Sequence, residues 1–162
     1  METLQFKSVR EISREKVRLE RKLGVRISIR GKTVSFDGPT LEEYEASLVI
    51  EAMQFGFSAK KALLLKDEGN IFRILPIKHF TRRRNMKEVR SRLIGTEGKT
   101  RKTIEDIAKC EIVISGNSVG IIAPADSIEE ATTGITNLIR GSKQANIYRF
   151  LERMNTEKKK LR

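Results

Sequence analysis

The sequence predicts an α+β protein built from two copies of one small unit, each an antiparallel sheet covered on one face by helices. Three observations carry this. The chain matches itself at a fixed offset. Helix-like and strand-like segments alternate within each copy. Only one copy carries a Gly-x-x-Gly loop that opens a helix.

The repeat is read first, because a missed repeat misassigns the whole fold. Gly31 and Gly116 stand 85 residues apart. At that offset Leu19 falls on Ile104, Ile27 on Ile112, Ile29 on Ile114 and Val34 on Val119. Gly31-Lys32 takes the place of Gly116-Asn117, a two-residue hairpin signal. Past the hairpin the offset becomes 87, and Thr40-Leu41-Glu42-Glu43 meets Ser127-Ile128-Glu129-Glu130. Both read as capping boxes that start a helix.

The elements follow in order. Arg10 to Ser13 takes the place of the glycine loop in the first copy but has no glycine. That copy begins too near residue 1 to hold a full loop and a preceding helix. Ile27 to Val34 spans a hairpin. Leu41, Tyr44, Leu48, Ala52 and Phe55 fall at helical spacing, which predicts a core-facing helix from Thr40 to Phe55. A linker helix is expected over Ser58 to Lys66. In the second copy the loop runs into the helix of Thr103, Ile104, Ile107 and Ala108. Strands at Glu111 to Ser115 and Ser118 to Ile122 come next, then the second capping box. Ala145 to Lys160 reads as a final helix with Ile147, Phe150, Leu151 and Met154 as its docking stripe. The expected division is 1–57, a linker over 58–69, 70–142, and a basic helix and tail over 143–162.

The candidate site is Ile94-Gly95-Thr96-Glu97-Gly98-Lys99-Thr100-Arg101-Lys102. Glycines let the backbone turn sharply and approach a ligand closely. The amides of a helix start face that ligand, with the positive end of the helix dipole behind them. Lys99, Arg101 and Lys102 add charge. This chemistry suits a phosphodiester backbone. An aliphatic groove of Ile94, Ile104, Ile107, Ile112 and Ile114 is expected beside it, most of it core, with Ile112 and Ile114 candidates to touch bases.

Charge sharpens the reading. The chain of 162 residues has a formal net charge of +12. Residues 82–102 carry nine Lys/Arg against two Glu, and residues 143–162 carry seven against two. The remaining stretches cancel, so the whole excess lies in two blocks. Clustered positive charge is the footprint of phosphate binding. Arg82, Arg83, Arg84, Lys87, Arg90 and Arg92 lead into the loop, and Arg149 and Arg153 lie on the final helix. On a generic protein such charges would read as a solvated helix face. Aromatic content is 6% without Trp, which argues against modules that stack bases on aromatic rings.

The layout resembles tandem KH domains of the type with order strand, helix, Gly-x-x-Gly, helix, strand, strand, helix. It implies two type I KH-like units with three-stranded sheets, the first without its clamp. More narrowly, Phe55-Gly56-Phe57-Ser58, Arg92-Leu93-Ile94-Gly95 with Gly98-Lys99-Thr100, and Ile147 to Arg153 are similar to the archaeal form of the Partner-of-Nob-One (Dim-two) family. From about Ala52 onward the resemblance covers most of the chain. It implies a small-subunit ribosome assembly factor. Its RNA would be the 3′ region of small-subunit rRNA, and its partners the endonuclease that trims that end and the alpha subunit of initiation factor two. The chain departs from the KH pattern in two places: Thr96-Glu97 lacks a basic residue, and Arg101 stands where an aliphatic residue is common.

Enzyme classes find little support. His79 is the only histidine and Cys110 the only cysteine, so no structural zinc set exists and no intrachain disulfide is possible. No cofactor or metal is expected. Gly95 to Thr100 is not the phosphate loop of nucleotide hydrolases, which needs four residues between its glycines. Glu105 and Asp106 read as solvated carboxylates, and Cys110 as a small buried residue. With no signal peptide and no long apolar run, a cytoplasmic protein is expected. Two other readings remain open: another tandem-KH RNA adaptor, of transcription elongation or the exosome, or a protein-binding scaffold with minor RNA contact.

Overall fold

In the computed structural model, which describes residues 1–161, the chain forms two compact units, Met1–Phe72 and the chain from Arg73 onward. The first holds strand β1 (Glu2–Gln5), helices α1 (Arg10–Arg14) and α2 (Lys16–Leu23), strands β2 (Arg26–Arg30) and β3 (Thr33–Asp37), and helix α3 (Thr40–Phe55). Its sheet order is β1-β3-β2, antiparallel, with Leu4 opposite Val34 and Ile27 opposite Phe36. Ile12, Leu19, Ile27, Phe36, Val49 and Ile50 are buried and make its core. Helix α4 (Ala59–Ala62) and a 3-10 turn at Leu63–Lys66 follow where the linker helix is expected. There Phe57 meets Phe72 edge-on, with ring centres 5.7 Å apart.

The second unit is built the same way. Strand β4 (Asn70–Pro76) begins just before the division. Helix α5 (Met86–Ile94), helix α6 (Lys99–Ala108), strands β5 (Glu111–Ser115) and β6 (Ser118–Pro124), and helices α7 (Ile128–Arg140) and α8 (Gln144–Leu161) follow. Sheet order is β4-β6-β5, so again the second hairpin strand is central. The core joins Leu93, Ile104, Ile112, Ile121 and Ile135 to Ile147 and Leu151 of α8. Gly134 on α7 makes that docking close: a Cβ there would lie 3.3 Å from Ile147.

The copies agree beyond their strands. Gly31 and Gly116 both turn with positive φ, 59° and 56°. Gly24 and Lys109, also 85 apart, both end a helix in the left-handed region. Glu20 accepts from the Ile27 amide at 2.9 Å, and Glu105 accepts from the Ile112 amide at 2.9 Å. In each copy a helix carboxylate thus fastens the start of the following strand. Glu105 is therefore structural and mostly buried, not a solvated carboxylate.

Three expectations need correction. Strand β1 and the short α1 precede α2, so the first copy is fuller at its start than the sequence suggests. Neither capping box forms. Pro39 caps α3, and the Ser127 hydroxyl bonds Asp126 and Lys158 rather than its own helix. Helix α3 buries Ala46, Val49, Ile50 and Met53, while Leu41 and Tyr44 are 63% and 61% exposed. Arg82, Arg83 and Arg84 lie in the loop before α5. Among the described residues no helix is long and apolar enough to cross a membrane.

Candidate nucleic-acid interface

Helix α5 starts at Asn85, whose side chain accepts from the Glu88 amide, and ends at Gly95 with φ 76°. The chain then makes one 3-10 turn, closed by the Gly98 amide donating to the Gly95 carbonyl at 3.2 Å, and enters α6. The two glycines have different reasons to be there. At Gly95 a Cβ would lie 2.7 Å from the Thr100 backbone nitrogen, so only glycine fits. At Gly98, φ 77°, a Cβ would meet nothing nearer than an Arg101 nitrogen at 3.9 Å. Gly98 therefore supplies a left-handed turn and an open approach. No side chain caps the start of α6, so its first-turn amides have no side-chain partner there.

Glu97 is the surprise of the loop. It is exposed and holds φ 54°, ψ 26°, a left-handed conformation costly for any residue with a Cβ. It places a carboxylate at the tip, where charge chemistry would favour a cation.

The remaining candidates separate by burial and partners. Thr96, Lys99 and Lys102 are exposed, as is Ile94 at 39% at the end of α5. Thr100 and Ile112 are 4% and 3% exposed, so neither side chain offers a contact surface. Thr100 is instead an internal support. Its hydroxyl accepts from the Gln144 side chain at 3.2 Å, tying the loop to α8. Nothing in the sequence marks Gln144 for that role. Ile114 is half-buried against the core. Arg101 reaches Glu105 at 3.1 Å and the Ile112 carbonyl at 3.5 Å, so it joins α6 to strand β5 along the side of the groove. An aliphatic residue could not make that tie.

The basic cluster does not converge on one surface. Arg90 donates to Asn117 in the β5–β6 turn, while Arg92 donates to the Ser142 carbonyl in the α7–α8 turn at 3.0 Å. Arg83 also lies toward that turn, its guanidinium 3.4 Å from where a Gly141 Cβ would stand. Arg82, Arg84 and Lys87 are exposed, as are Arg149 and Arg153 on α8.

Cys110 is buried where α6 meets β5. Burial first, then the charges of Glu105 and Glu111, push its thiol up to about 12. A thiol this reluctant to ionise is a poor nucleophile. Ellman's reagent at pH 8 is expected to leave the native protein unmodified and to titrate one thiol after denaturation in guanidinium. Because the folded value is the raised one, the stability this group contributes is full below pH 9.0 and is lost as pH rises toward 12. Among the described residues no group of His, Cys, Asp and Glu could hold a metal ion.

Strand, helix, glycine turn, helix, hairpin and helix succeed one another here around a three-stranded sheet. Residues 71–156 match the model for the second KH domain of PNO1, described as a eukaryotic-type KH domain (type I). The chain belongs to the Partner-of-Nob-One family. A KH domain-containing protein of Methanocaldococcus jannaschii is 28% identical over 151 residues, covering 89% of this chain and 66% of the relative. The pre-rRNA-processing protein pno1 of Emericella nidulans is 25% identical over 142 residues, covering 82% of this chain and 55% of the relative. The chain thus spans between half and two thirds of these relatives. Among solved structures, the complex of a/eIF2alpha, aDim2p and rRNA from Pyrococcus horikoshii OT3 contains a chain of similar fold. Its TM-score is 0.85 at 27% identity, covering 96% of this chain and 94% of that one.

Proposed function

We propose that this Partner-of-Nob-One member is a non-catalytic single-stranded-RNA-binding protein that acts on the 3′ region of small-subunit rRNA during ribosome assembly. The observation that carries it is the loop: an open left-handed Gly98, an uncapped helix start behind it, and exposed Lys99 and Lys102 in the first turn of that helix. A phosphate satisfies such amides and such charge together. The Pyrococcus neighbour, solved with rRNA and a/eIF2alpha, supports rRNA as the kind of target and a/eIF2alpha as one partner. The rRNA-trimming endonuclease is the second partner in this reading, and the cytoplasm its place of work. The test is titration with a single-stranded oligonucleotide of the rRNA 3′ end against the same strand annealed to its complement. Tight binding of the single strand alone is expected; equal binding of the duplex would overturn the reading.

The two copies divide the labour in this proposal, with 70–142 as the clamp-bearing domain, 1–57 as the one without, 58–69 joining them, and 143–162 as the basic extension. Where the second copy has its glycine turn, the first has α1. There Glu11 accepts from the Ala59 amide at 3.0 Å, and Arg14 also pairs with it. The position of the missing glycine turn is thus used to tie α1 to the start of α4. Substituting Arg10 and Ser13 by Ala is expected to leave RNA affinity within a few fold. A loss as large as that from altering Gly98 would mean that both copies bind alike.

A further inference from the structure

We infer that the exposed face of helix α8 is a second RNA contact, taking the phosphates of the strand beyond the nucleotides held at the glycine loop. This rests on the RNA-binding reading above and extends it to a surface outside the groove.

Helix α8 lies beside α6 and runs the same way. Gln144 at its start donates to Thr100, just behind the loop, and Asn155 further along donates to the Ile107 carbonyl near the end of α6 at 2.6 Å. Ile147 and Leu151 turn into the core. The opposite face carries Arg149 and Arg153, one turn apart and both exposed. Four residues of helix separate charges by about 6 Å along the axis.

These two arginines make no ion pair among the described residues, although Glu152 and Glu157 share their helix. Lys158, by contrast, is drawn down to Glu130 and Ser127 and is spent on docking the helix. The helix therefore sorts its cations: Lys158 anchors it, while Arg149 and Arg153, like Lys159 and Lys160 near its end, are left in solvent.

The start of α8 is basic for a separate reason. Arg92 from α5 reaches the Ser142 carbonyl, Arg83 lies against Gly141, and Lys143 is exposed between them and the helix. Charges from three separate parts of the chain thus meet at the turn that touches the loop through Gln144 and Thr100. After this turn, exposed Lys143, Arg149 and Arg153 place a set of cations at the start and along the first half of α8. A flexible polyanion fits it. A helix face without exposed aromatics offers phosphates a place but gives bases nothing to stack on.

The test compares two oligonucleotides and three proteins. Affinities for a single-stranded RNA of about five nucleotides, enough to fill a KH clamp, and for one roughly three times as long are measured for three proteins. These are the unaltered protein, R149E/R153E, and a charge-matched control, R26E/R30E, on exposed positions of β2. The number of binding registers on the long strand is the same for all three, so differences between proteins belong to the side chains. R149E/R153E is expected to bind the short strand within twofold of the unaltered protein and the long strand at least tenfold more weakly, with the control unaffected on both. Full retention of the long-strand affinity overturns the inference and assigns the α8 face to another use, an acidic protein among them. An equal loss in the control overturns it as well, since the effect would then be that of net charge. If the unaltered protein fails to bind even the short strand, the underlying RNA reading fails instead, and circular dichroism of R149E/R153E separates either result from misfolding.

Discussion

Gly98→Asp is expected to lower affinity for single-stranded RNA at least tenfold, about 1.4 kcal/mol or more, with the fold close to intact. The fold survives because there is room: a Cβ at Gly98 meets nothing closer than the Arg101 guanidinium at 3.9 Å. The left-handed φ of 77° is strained for a side chain, but Asp is among the residues that tolerate it best. Binding does not survive, because the new carboxylate stands before the uncapped amides of α6 and turns an anion site into an anion-repelling one. Gly95→Ala is expected to behave in the opposite way. Its Cβ would press within 2.7 Å of Thr100 backbone, so the loop must shift and thermal stability should fall before any change in binding can be interpreted. Melting curves beside RNA titrations separate the two. Equal RNA affinity for Gly98→Asp and the unaltered protein would remove the clamp from the mechanism.

The repeat was legible because hairpins leave strong marks. Gly31 and Gly116 need positive φ, and β-branched residues flank them in both copies. Strand β1 leaves almost none, being four residues of which none is fully buried. On α3 the sequence misleads for a clear reason. Leu41, Tyr44, Leu48, Ala52 and Phe55 share one face, but Ala46, Val49, Ile50 and Met53 keep helical spacing on another. Periodicity cannot choose between two apolar stripes: in the first, Ala52 is buried and Phe55 packs on Phe57 and Phe72, but Leu41 and Tyr44 stand in solvent. The glycine loop and its charges were likewise readable, since glycine and arginine announce themselves. The supports were not. Gln144 to Thr100, Arg101 to Glu105 and Glu105 to Ile112 join residues by side-chain reach, which has no period in sequence. Thr100 entered the candidate site by adjacency to the loop, and Ile112 as a member of the expected groove. Burial shows that adjacency along the chain is not exposure.

RNA binding is expected to fall by roughly three to four decades per tenfold rise in salt. The relation for single strands is a slope of about −0.7 per phosphate neutralised, and four to six contacts give that range. The contacts are drawn from among seven exposed cations. Lys99 and Lys102 stand in solvent just after the loop, Arg82, Arg84 and Lys87 lie exposed before it, and Arg149 and Arg153 lie beyond it on α8. Arg101, tied to Glu105, has little counterion to release, and Arg92 is engaged with the Ser142 carbonyl. The slope therefore reports the exposed residues rather than the formal charge of +12. Replacing Lys99 and Lys102 by Gln should make the slope shallower by about 1.4, two contacts' worth on the same relation. Making Arg101 neutral should change the slope little, though it loosens α6 from β5 and weakens binding by that route. Titrations from 50 mM to 500 mM salt on these variants measure both effects. A slope near zero in the unaltered protein would mean that phosphates are not what the loop holds, and that binding rests on protein surfaces instead.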